Sequence, residues 1–224
     1  MPEPEPAADF RFDWPEFAER ARARLLREVP QEGHDLTLRA ARGDDDLNPG
    51  ATFIGDAAPG TRAAVLVAVV KREPQASILL TQRTMALSSH AGQVAFPGGK
   101  IDREDRDAAA CALREAFEET GLAPDFVNPI GYLDPYQTRT GFRVIPVVAL
   151  VDTGFELKPA PDEVDAVFEV PLAFLMDPRH HRRETRMWQG SERHFYAMPW
   201  GERYIWGATA GMIRNLYERL YALS

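Results

Sequence analysis

Apolar runs with the length of β-strands recur along this chain. The first two, residues 63–70 and 76–81, are separated by a short polar linker and predict a buried β-hairpin. Residues 94–96 form a shorter candidate strand that leads into a glycine pair, Gly98 and Gly99. Further strands are predicted at residues 127–133, 142–151, 164–170, 184–189 and 193–198.

Helical periodicity marks three other segments. Asp13, Trp14 and Pro15 provide a cap, an apolar contact and a first-turn proline for a helix over residues 14–28. A second helix, rich in Ala, Leu and Glu, ends at Gly121, and a third is predicted over residues 208–223. Strands before and after one central helix, with a helix at each end, predict an α/β fold with a mixed β-sheet, arranged as an α/β/α sandwich.

The same patterns divide the chain into three parts. Residues 1–9 are rich in Pro and Glu and are expected to form a disordered tail. Residues 10–60 contain the first helix and then, from residue 33, a stretch without a sustained period, which predicts a connecting loop packed on the domain. Residues 61–224 are predicted to form the main domain.

The central helix carries three carboxylates on one side. Glu115, Glu118 and Glu119 stand at i, i+3 and i+4, apart from a mostly apolar stripe that includes Phe117. Like charges at these spacings destabilise a helix by about 0.2–0.5 kcal/mol per pair, so they need either a cation or free solvation. Ligands made only of carboxylate oxygens favour Mg²⁺ or Mn²⁺. A solvated acidic face is the alternative, but the preceding glycine pair, which allows close ligand approach, favours the metal site.

Composition narrows the class of protein. With 45% apolar and 27% charged residues, the chain is typical of globular proteins. No apolar run approaches the roughly 20 residues of a membrane span, and the start lacks signal-peptide features, so a cytoplasmic location is expected. A net charge of −8 and a pI near 5.2 argue against nucleic-acid binding. The single cysteine, Cys111, excludes an internal disulfide and is expected to be a small, partly buried side chain.

The segment Gly98–Leu122 resembles the Nudix box, the signature of the Nudix hydrolase family. Residues 114–122, Arg-Glu-Ala-Phe-Glu-Glu-Thr-Gly-Leu, match the second half of that signature fully. In the first half, fourteen residues separate Gly99 from Arg114, one more than the pattern has, and its isolated Glu is represented by Asp105 or by nothing. The resemblance implies a Nudix-type α/β/α sandwich that hydrolyses a nucleoside diphosphate linked to another group.

A second resemblance concerns the substrate. Residues 79–99 look like the signature that precedes the box in the coenzyme A pyrophosphatase branch, which has the longer spacing and an Asp. Segments 140–148, 163–172 and 205–209 look like the same branch, although Ser88 stands where that branch usually has Arg. The resemblance implies hydrolysis of coenzyme A or its derivatives to 3′,5′-ADP and 4′-phosphopantetheine or its acyl form. A broader ADP-ribose-like pyrophosphatase, which Ser88 favours, and a non-catalytic nucleotide-sensing protein are the alternatives.

The resemblance also implies a metal site and its supporting residues. Glu115, Glu118 and Glu119, with the backbone carbonyl of Gly98, are expected to hold Mg²⁺ or Mn²⁺. Arg114 is expected to orient one of these carboxylates through a bidentate pair. Asp105 either represents the isolated Glu of the box or merely caps the helix.

The remaining site residues are open to more than one interpretation. The general base is either Glu115 or a carboxylate of the acidic loop at residues 162–165, with Glu163 as the candidate; a solvated acidic loop is the alternative. Arg83, His90 and Lys100 are candidate contacts to the phosphates, since an acidic protein must gather positive charge where a polyanion binds.

The partners expected from these inferences are few. The predicted partner is a small-molecule, coenzyme A-like substrate, with no nucleic acid and no membrane. The aromatic residues Trp200, Tyr204 and Trp206 either stack on an adenine or pack beside the C-terminal helix. The sequence does not determine the oligomeric state, and it is compatible with a homodimer.

Overall fold

The computed structural model describes residues 10–49, 60–85, 90–188 and 191–222. Its helices are α1 (Trp14–Arg24), α2 (Gln31–His34), α3 (Ala108–Thr120), α4 (Leu172–Leu175) and α5 (Ala208–Leu220). Its strands are β1 (Arg42–Gly43), β2 (Thr61–Val70), β3 (Ser77–Arg83), β4 (Val94–Ala95), β5 (Gly98–Lys100), β6 (Val127–Tyr132), β7 (Tyr136–Gln137), β8 (Phe142–Val151), β9 (Val164–Pro171), β10 (Arg182–Trp188), β11 (Ser191–Trp200) and β12 (Arg203–Trp206). The predicted tail at residues 1–9 and the residue Ser88 lie outside the described residues.

A mixed β-sheet forms the centre of the fold. Its strands run in the order β1-β7-β8-β2-β3-β4, with β5 also paired to β2, β6 to β8 and β9 to β3. Strands β2 and β8 are parallel along their whole length, whereas β2 and β3 form the antiparallel hairpin predicted from their apolar runs. A second, antiparallel sheet consists of β10, β11 and β12.

Both faces of the central sheet are buried. Along β2, Val67 and Val69 belong to one apolar cluster and Leu66 and Ala68 to another, because successive side chains of a strand point to opposite faces. Helix α3 contributes to the cluster that contains Leu66, and helices α1 and α5 contribute to the other. The predicted α/β/α sandwich with a mixed sheet is therefore confirmed.

Helices α1 and α5 are joined although they lie near opposite ends of the chain. Phe17 and Ala21 of α1 are fully buried in the cluster that contains the apolar side chains of α5. Arg20 and Arg24 donate to the carbonyl of Leu220 at 3.2 and 3.4 Å, which satisfies a carbonyl in the last turn of α5. Within the described residues, no helix combines the length and apolarity needed to cross a membrane.

Some predicted boundaries are wrong. Helix α1 ends at Arg24 rather than at residue 28, because the chain turns out of the helix and Leu26 forms a bridge with Tyr132. The described part of residues 33–60 is not only loop, since α2 reaches His34 and β1 pairs with β7 in parallel. The apolar pattern does not predict β5, β7 and β12 because strands of two to four residues are too short to show a period.

Candidate active site

Helix α3 begins and ends as its sequence dictates, but its cap differs from the prediction. Asp107 is the N-cap, and its side chain accepts a hydrogen bond from the Ala110 amide at 2.8 Å. The prediction that Asp105 caps the helix is therefore wrong. Gly121 closes the helix with a φ of 75°, a left-handed conformation that glycine adopts at little cost. Phe117, which was assigned to the apolar stripe, is 51% exposed.

Asp105 instead forms a bidentate pair with Arg114. The Arg114 Nε and Nη2 atoms donate to the two carboxylate oxygens of Asp105 at 3.0 and 2.8 Å. The Asp105 side chain is 5% exposed, and hydrogen bonding to Arg114 is the main cause that lowers the pKa of Asp105 to about 2. Arg114 thus anchors the loop before α3 to the helix itself.

The third nitrogen of the same guanidinium contacts two of the predicted site carboxylates. Arg114 Nη1 donates to Glu115 at 2.8 Å and to Glu118 at 3.1 Å. The expectation that Arg114 orients a carboxylate agrees with this geometry, although the bidentate partner is Asp105. One guanidinium therefore sets the direction of Glu115 and Glu118 together.

The glycine pair of β5 lies directly against these carboxylates. A Cβ atom added to Gly99 would lie 2.3 to 2.5 Å from the three carboxyl atoms of Glu115. A Cβ added to Gly98 would lie 2.4 Å from the carbonyl oxygen of Ala64 on β2. The close packing of α3 on β5 and β2 therefore depends on the absence of side chains at both positions.

Glu119 is the most enclosed of the three glutamates. Its side chain is 4% exposed; its Oε2 accepts from the Gly98 amide at 3.2 Å and its Oε1 lies 3.5 Å from Nη1 of Arg83. Burial raises the pKa of Glu119 to about 7, against the opposing effects of the Gly98 hydrogen bond and the charge of Arg83. Burial likewise raises the pKa of Glu115, whereas Glu118 is 56% exposed.

The acidic loop before β9 is attached to the end of α3. The Lys158 and Ala160 amides donate to the carbonyls of Thr120 and Glu119 at 2.8 and 3.0 Å. This places the exposed Glu163 close enough for its charge to contribute to the raised pKa values of Glu115 and Glu119. The structure thus brings the candidate base and the helix carboxylates to one side of the domain.

The carboxylate oxygens of Glu115, Glu118 and Glu119 suit a hard divalent cation, although these side chains do not form a preformed coordination site. Within the described residues, no three Asp, Glu, His or Cys side chains converge closely enough to hold a metal ion. Arg114 occupies part of the space between Glu115 and Glu118, and it cannot offset the charge of Glu119 as well. A buried carboxylate with a raised pKa is stabilised by an adjacent cation, and oxygen donors of this kind suit Mg²⁺ or Mn²⁺.

Of the three predicted phosphate contacts, the structure places one beside the carboxylates. Arg83 is the last residue of β3 and contacts Glu119, while its Nε atom is buried without a hydrogen-bond partner. His90 is exposed, with its Nδ1 atom 2.9 Å from the Gln93 side chain, and Lys100 is exposed, with its Nζ atom 6.0 Å from the centre of the Phe142 ring. Neither forms an ion pair with a described glutamate of α3.

Sequence reasoning named two residues that shape this site but missed the contacts they make. Asp105 was considered as the isolated Glu of the box or as a helix cap, whereas its side chain pairs with Arg114, nine residues away across a loop. Gly99 was singled out as conformationally free, whereas its actual requirement is the space taken by Glu115. The one available signal for Asp105 was its place in the box pattern.

Comparison with known proteins gives a consistent family. The sequence model of the NUDIX domain matches residues 60–189. The uncharacterized Nudix hydrolase NudL of Escherichia coli (strain K12) is 45% identical over 157 residues, which are 69% of this chain and 80% of NudL.

Solved structures show weaker similarity. DR0079 from Deinococcus radiodurans aligns with a TM-score of 0.47 and 12% identity over 76% of this chain and 88% of its own. The Ap4A hydrolase of C. elegans aligns with a TM-score of 0.41 and 19% identity over 51% of this chain and 82% of its own. These two similarities support no argument about the substrate. The match to the NUDIX domain over more than half of the residues, together with the 45% identity to NudL, shows that this chain belongs to the Nudix hydrolase family.

Proposed function

We propose that this Nudix hydrolase cleaves the diphosphate bond of coenzyme A or its acyl derivatives, with Mg²⁺ or Mn²⁺, to give 3′,5′-ADP and 4′-phosphopantetheine or its acyl form. The observation that carries the proposal is the coenzyme A-type signature at residues 79–99. Both ends of that segment meet at one carboxylate, because Arg83 lies 3.5 Å from Glu119 and the Gly98 amide donates to it at 3.2 Å. A segment that resembles a substrate signature is thus joined to the box helix.

The proposed metal ligands are Glu115, Glu118, Glu119 and the carbonyl of Gly98. These residues would hold a divalent ion, which would supply positive charge for the diphosphate oxygens and would lower the pKa of an attacking water. The role of Arg114 is to hold Glu115 and Glu118 in position, since it contacts both and is itself fixed by Asp105.

Glu163 is the proposed general base. It is exposed, so water reaches it. Glu115, the other candidate, is half-buried and engaged by Arg114 and is better suited to bind the ion. If Glu163 is the base, Glu163→Gln lowers kcat by about 10²–10⁴-fold and removes the acidic limb of the pH–rate profile, while metal binding stays unchanged. The same loss of that limb in Glu115→Gln alone would assign the base to Glu115.

Arg83, His90 and Lys100 are the proposed phosphate contacts. Arg83 Nη1 lies 3.5 Å from the Glu119 carboxylate, and Lys100 follows the glycine pair in β5. His90 and Lys100 are exposed and able to approach an incoming anion. Each cation offsets the negative field of a protein whose net charge is −8.

The test is a substrate panel with identification of the products. Purified protein with Mg²⁺ or Mn²⁺ is expected to cleave coenzyme A and acetyl-coenzyme A faster than ADP-ribose or diadenosine tetraphosphate, with 3′,5′-ADP as one product. The opposite order of rates would support the broader nucleoside-diphosphate-linked pyrophosphatase instead.

A matched pair of variants separates catalysis from binding. Glu119→Gln is expected to abolish metal-dependent turnover and to retain a folded helix α3, because the amide occupies nearly the same volume as the carboxylate. Glu104→Gln, at an exposed position in the loop before α3, is the control and is expected to keep full activity. If the wild-type protein binds nucleotides but cleaves none of the panel, the non-catalytic alternative is correct.

A further inference from the structure

A second candidate site lies away from the glutamates of α3. A cavity of about 300 Å³ is enclosed by residues of α5, β7, β11 and β12 and by the loop that follows β1. None of Glu115, Glu118 and Glu119 lines it. Its walls belong to the side of the sheet that α5 covers, whereas α3 covers the other side.

Polar contacts hold the walls of this cavity in place. The Asn48 side chain donates to the His194 carbonyl at 2.7 Å and accepts from the His194 amide at 2.8 Å, which joins the loop after β1 to β11. Asp44, in the same loop, accepts hydrogen bonds from the Tyr136 hydroxyl at 2.7 Å and from the Arg139 amide at 2.9 Å. Residues 44–48 of this loop are therefore held in place by these hydrogen bonds, as the wall of a preformed ligand site requires.

Two arginines face this cavity without acidic partners. Arg186 and Arg193 lie directly opposite each other in the β10–β11 ladder and both line the cavity. Neither guanidinium forms a hydrogen bond or ion pair with any residue that the structure describes. Arg186 is exposed and Arg193 is partly buried. Like charges at directly opposed positions repel, and an anion between or beside the two guanidiniums would relieve this repulsion.

The burial of Arg193 strengthens the requirement for an anion. Its Nε and Nη1 atoms are buried and have no hydrogen-bond partner, and buried donors are rarely left unpaired. Two other arginines that line the cavity, Arg42 and Arg214, share the carboxylate of Glu218 at 2.7 Å. Arg186 and Arg193 have no such carboxylate among the described residues.

Aromatic side chains form the apolar part of the same cavity. Trp206, Phe195 and Tyr196 line it, and the rings of Phe195 and Trp206 pack edge to face with centroids 5.3 Å apart. By contrast, Trp200 is stacked on Phe168 at 6.2 Å. Of the aromatic residues considered as base-stacking candidates, Trp206 is thus the one that lines the cavity with the unpaired arginines.

We propose that this cavity binds an aromatic ring that carries an anionic group, the chemistry of a phosphorylated nucleoside. The aromatic walls receive the ring, and Arg186 and Arg193 bind the anion. Small-molecule sites range from about 300 to 1,000 Å³, so a cavity at the lower limit holds one nucleotide-sized part of a ligand and not a whole coenzyme A-like molecule.

Such a ligand has two sources, the nucleotide half of the substrate or a separate nucleotide. Helix α5, which provides part of the cavity wall, also contacts the coenzyme A-type signature, since Thr209 at its start donates to the Val94 carbonyl at 3.0 Å. The loop that contains the lining residue Thr140 leads to Phe142, whose ring lies 6.0 Å from the Lys100 Nζ atom. Assignment of the cavity to the substrate rests on the proposed function, whereas binding of the ring and its anion does not.

The binding test uses the full chain without metal and adenosine 3′,5′-bisphosphate as the probe, with isothermal titration calorimetry as the readout. The bisphosphate is expected to bind at least about tenfold more tightly than adenosine, because hydrogen bonds to charged groups are lost without the phosphates. Arg193→Gln is expected to weaken bisphosphate binding by at least about tenfold, and Trp206→Leu to weaken binding of both ligands. Arg183→Gln, in the same strand as Arg186 but not among the residues that line the cavity, is the control and is expected to bind as the wild type does.

Several results would overturn the proposal. Equal affinity for adenosine and the bisphosphate would show that the cavity has no anion site. Unchanged binding of the bisphosphate in both Arg193→Gln and Trp206→Leu would show that it binds outside the cavity. Circular dichroism establishes that each variant is folded, and Arg186→Gln replaces Arg193→Gln if the latter does not fold.

Kinetics distinguish the two sources of the ligand. If the nucleotide half of the substrate occupies the cavity, Arg193→Gln raises KM for coenzyme A by the same factor as it weakens binding of the bisphosphate. If a separate nucleotide occupies the cavity, Arg193→Gln weakens binding of the bisphosphate and leaves KM for coenzyme A unchanged. Binding that depends on Arg193 in a protein that does not cleave coenzyme A would overturn the proposed function and leave the cavity proposal standing. If the protein cleaves coenzyme A, but Arg193→Gln changes neither bisphosphate binding nor KM, the proposed function stands and the cavity proposal is overturned.

Discussion

Replacement of Gly99 by alanine separates the geometry of the candidate active site from the stability of the fold. The added Cβ would lie 2.3 Å from the Glu115 carboxyl carbon, whereas ordinary contacts begin at 3.4 Å, so the carboxyl group must move by about 1.1 Å. Gly99 is not among the glycines with positive φ, and alanine therefore adopts its backbone conformation without strain. A misplacement of about 1 Å in a reacting constellation costs on the order of 10²-fold in rate.

The expected result is a loss of about 10²-fold in kcat/KM with little change in Tm. The stability is preserved because the atoms that must move are the end of a flexible side chain. Activity is measured on coenzyme A, or on whichever diphosphate the wild-type protein cleaves, and Tm by circular dichroism.

Gly98→Ala is the matched comparison. There the added Cβ would lie 2.4 Å from the Ala64 carbonyl oxygen and 2.6 Å from the Val65 Cα atom, so backbone must move and both Tm and activity are expected to fall. The reasoning is refuted if Gly99→Ala retains activity within a few-fold of the wild type, or if it lowers Tm as much as Gly98→Ala does.

Three further predictions concern stability and reactivity. In a double-mutant cycle of Arg114→Gln and Asp105→Asn, the coupling free energy is expected to be about 2 kcal/mol, because the pair is bidentate and partly buried. This coupling corresponds to roughly 4–8 °C in Tm. Additive effects of the two substitutions on Tm would contradict the prediction. Burial lowers the pKa of His181 to about 4 from its usual 6.5, so its stabilising effect is present above about pH 6.5 and is lost, by up to about 3 kcal/mol, as the pH falls towards 4. Urea titrations should show that His181→Gln flattens the stability profile in this range, and an unchanged slope would exclude His181 as its cause. Burial raises the pKa of the Cys111 thiol to about 12, so Ellman's reagent is expected to label it only on unfolding; rapid labelling of the native protein would contradict the buried position.

The architecture was predictable where the pattern is long. The ten-residue strands β2 and β8 and the thirteen-residue helices α3 and α5 show sustained apolar runs or periods, and the structure places them within a few residues of the prediction. The end of α3 at Gly121 was predictable because a left-handed C-cap demands a particular residue type. Local chemistry is sufficient for these features.

The geometry of the candidate site was predictable only in part. The spacing of Glu115, Glu118 and Glu119 predicts that they lie on one side of the helix. The exposed fraction of each side chain depends on its contacts with β5 and with the loop before β9. The pairing of Arg114 with Asp105 follows from the path of that loop, which no local period encodes. These features arise from contacts between distant segments, and one sequence without its three-dimensional neighbours does not reveal them.

The contact between α1 and α5 bears on the order in which the protein folds. Arg20 donates to a carbonyl 200 residues further along the chain, so among the described residues this hydrogen bond closes the longest loop. Because long loops carry the largest entropic cost, the docking of α1 is expected to be a late event, after β2 and β8 have paired. During synthesis on the ribosome, the apolar face of α1 that carries Phe17 would stay uncovered until α5 has emerged, and it would be accessible to chaperones until then.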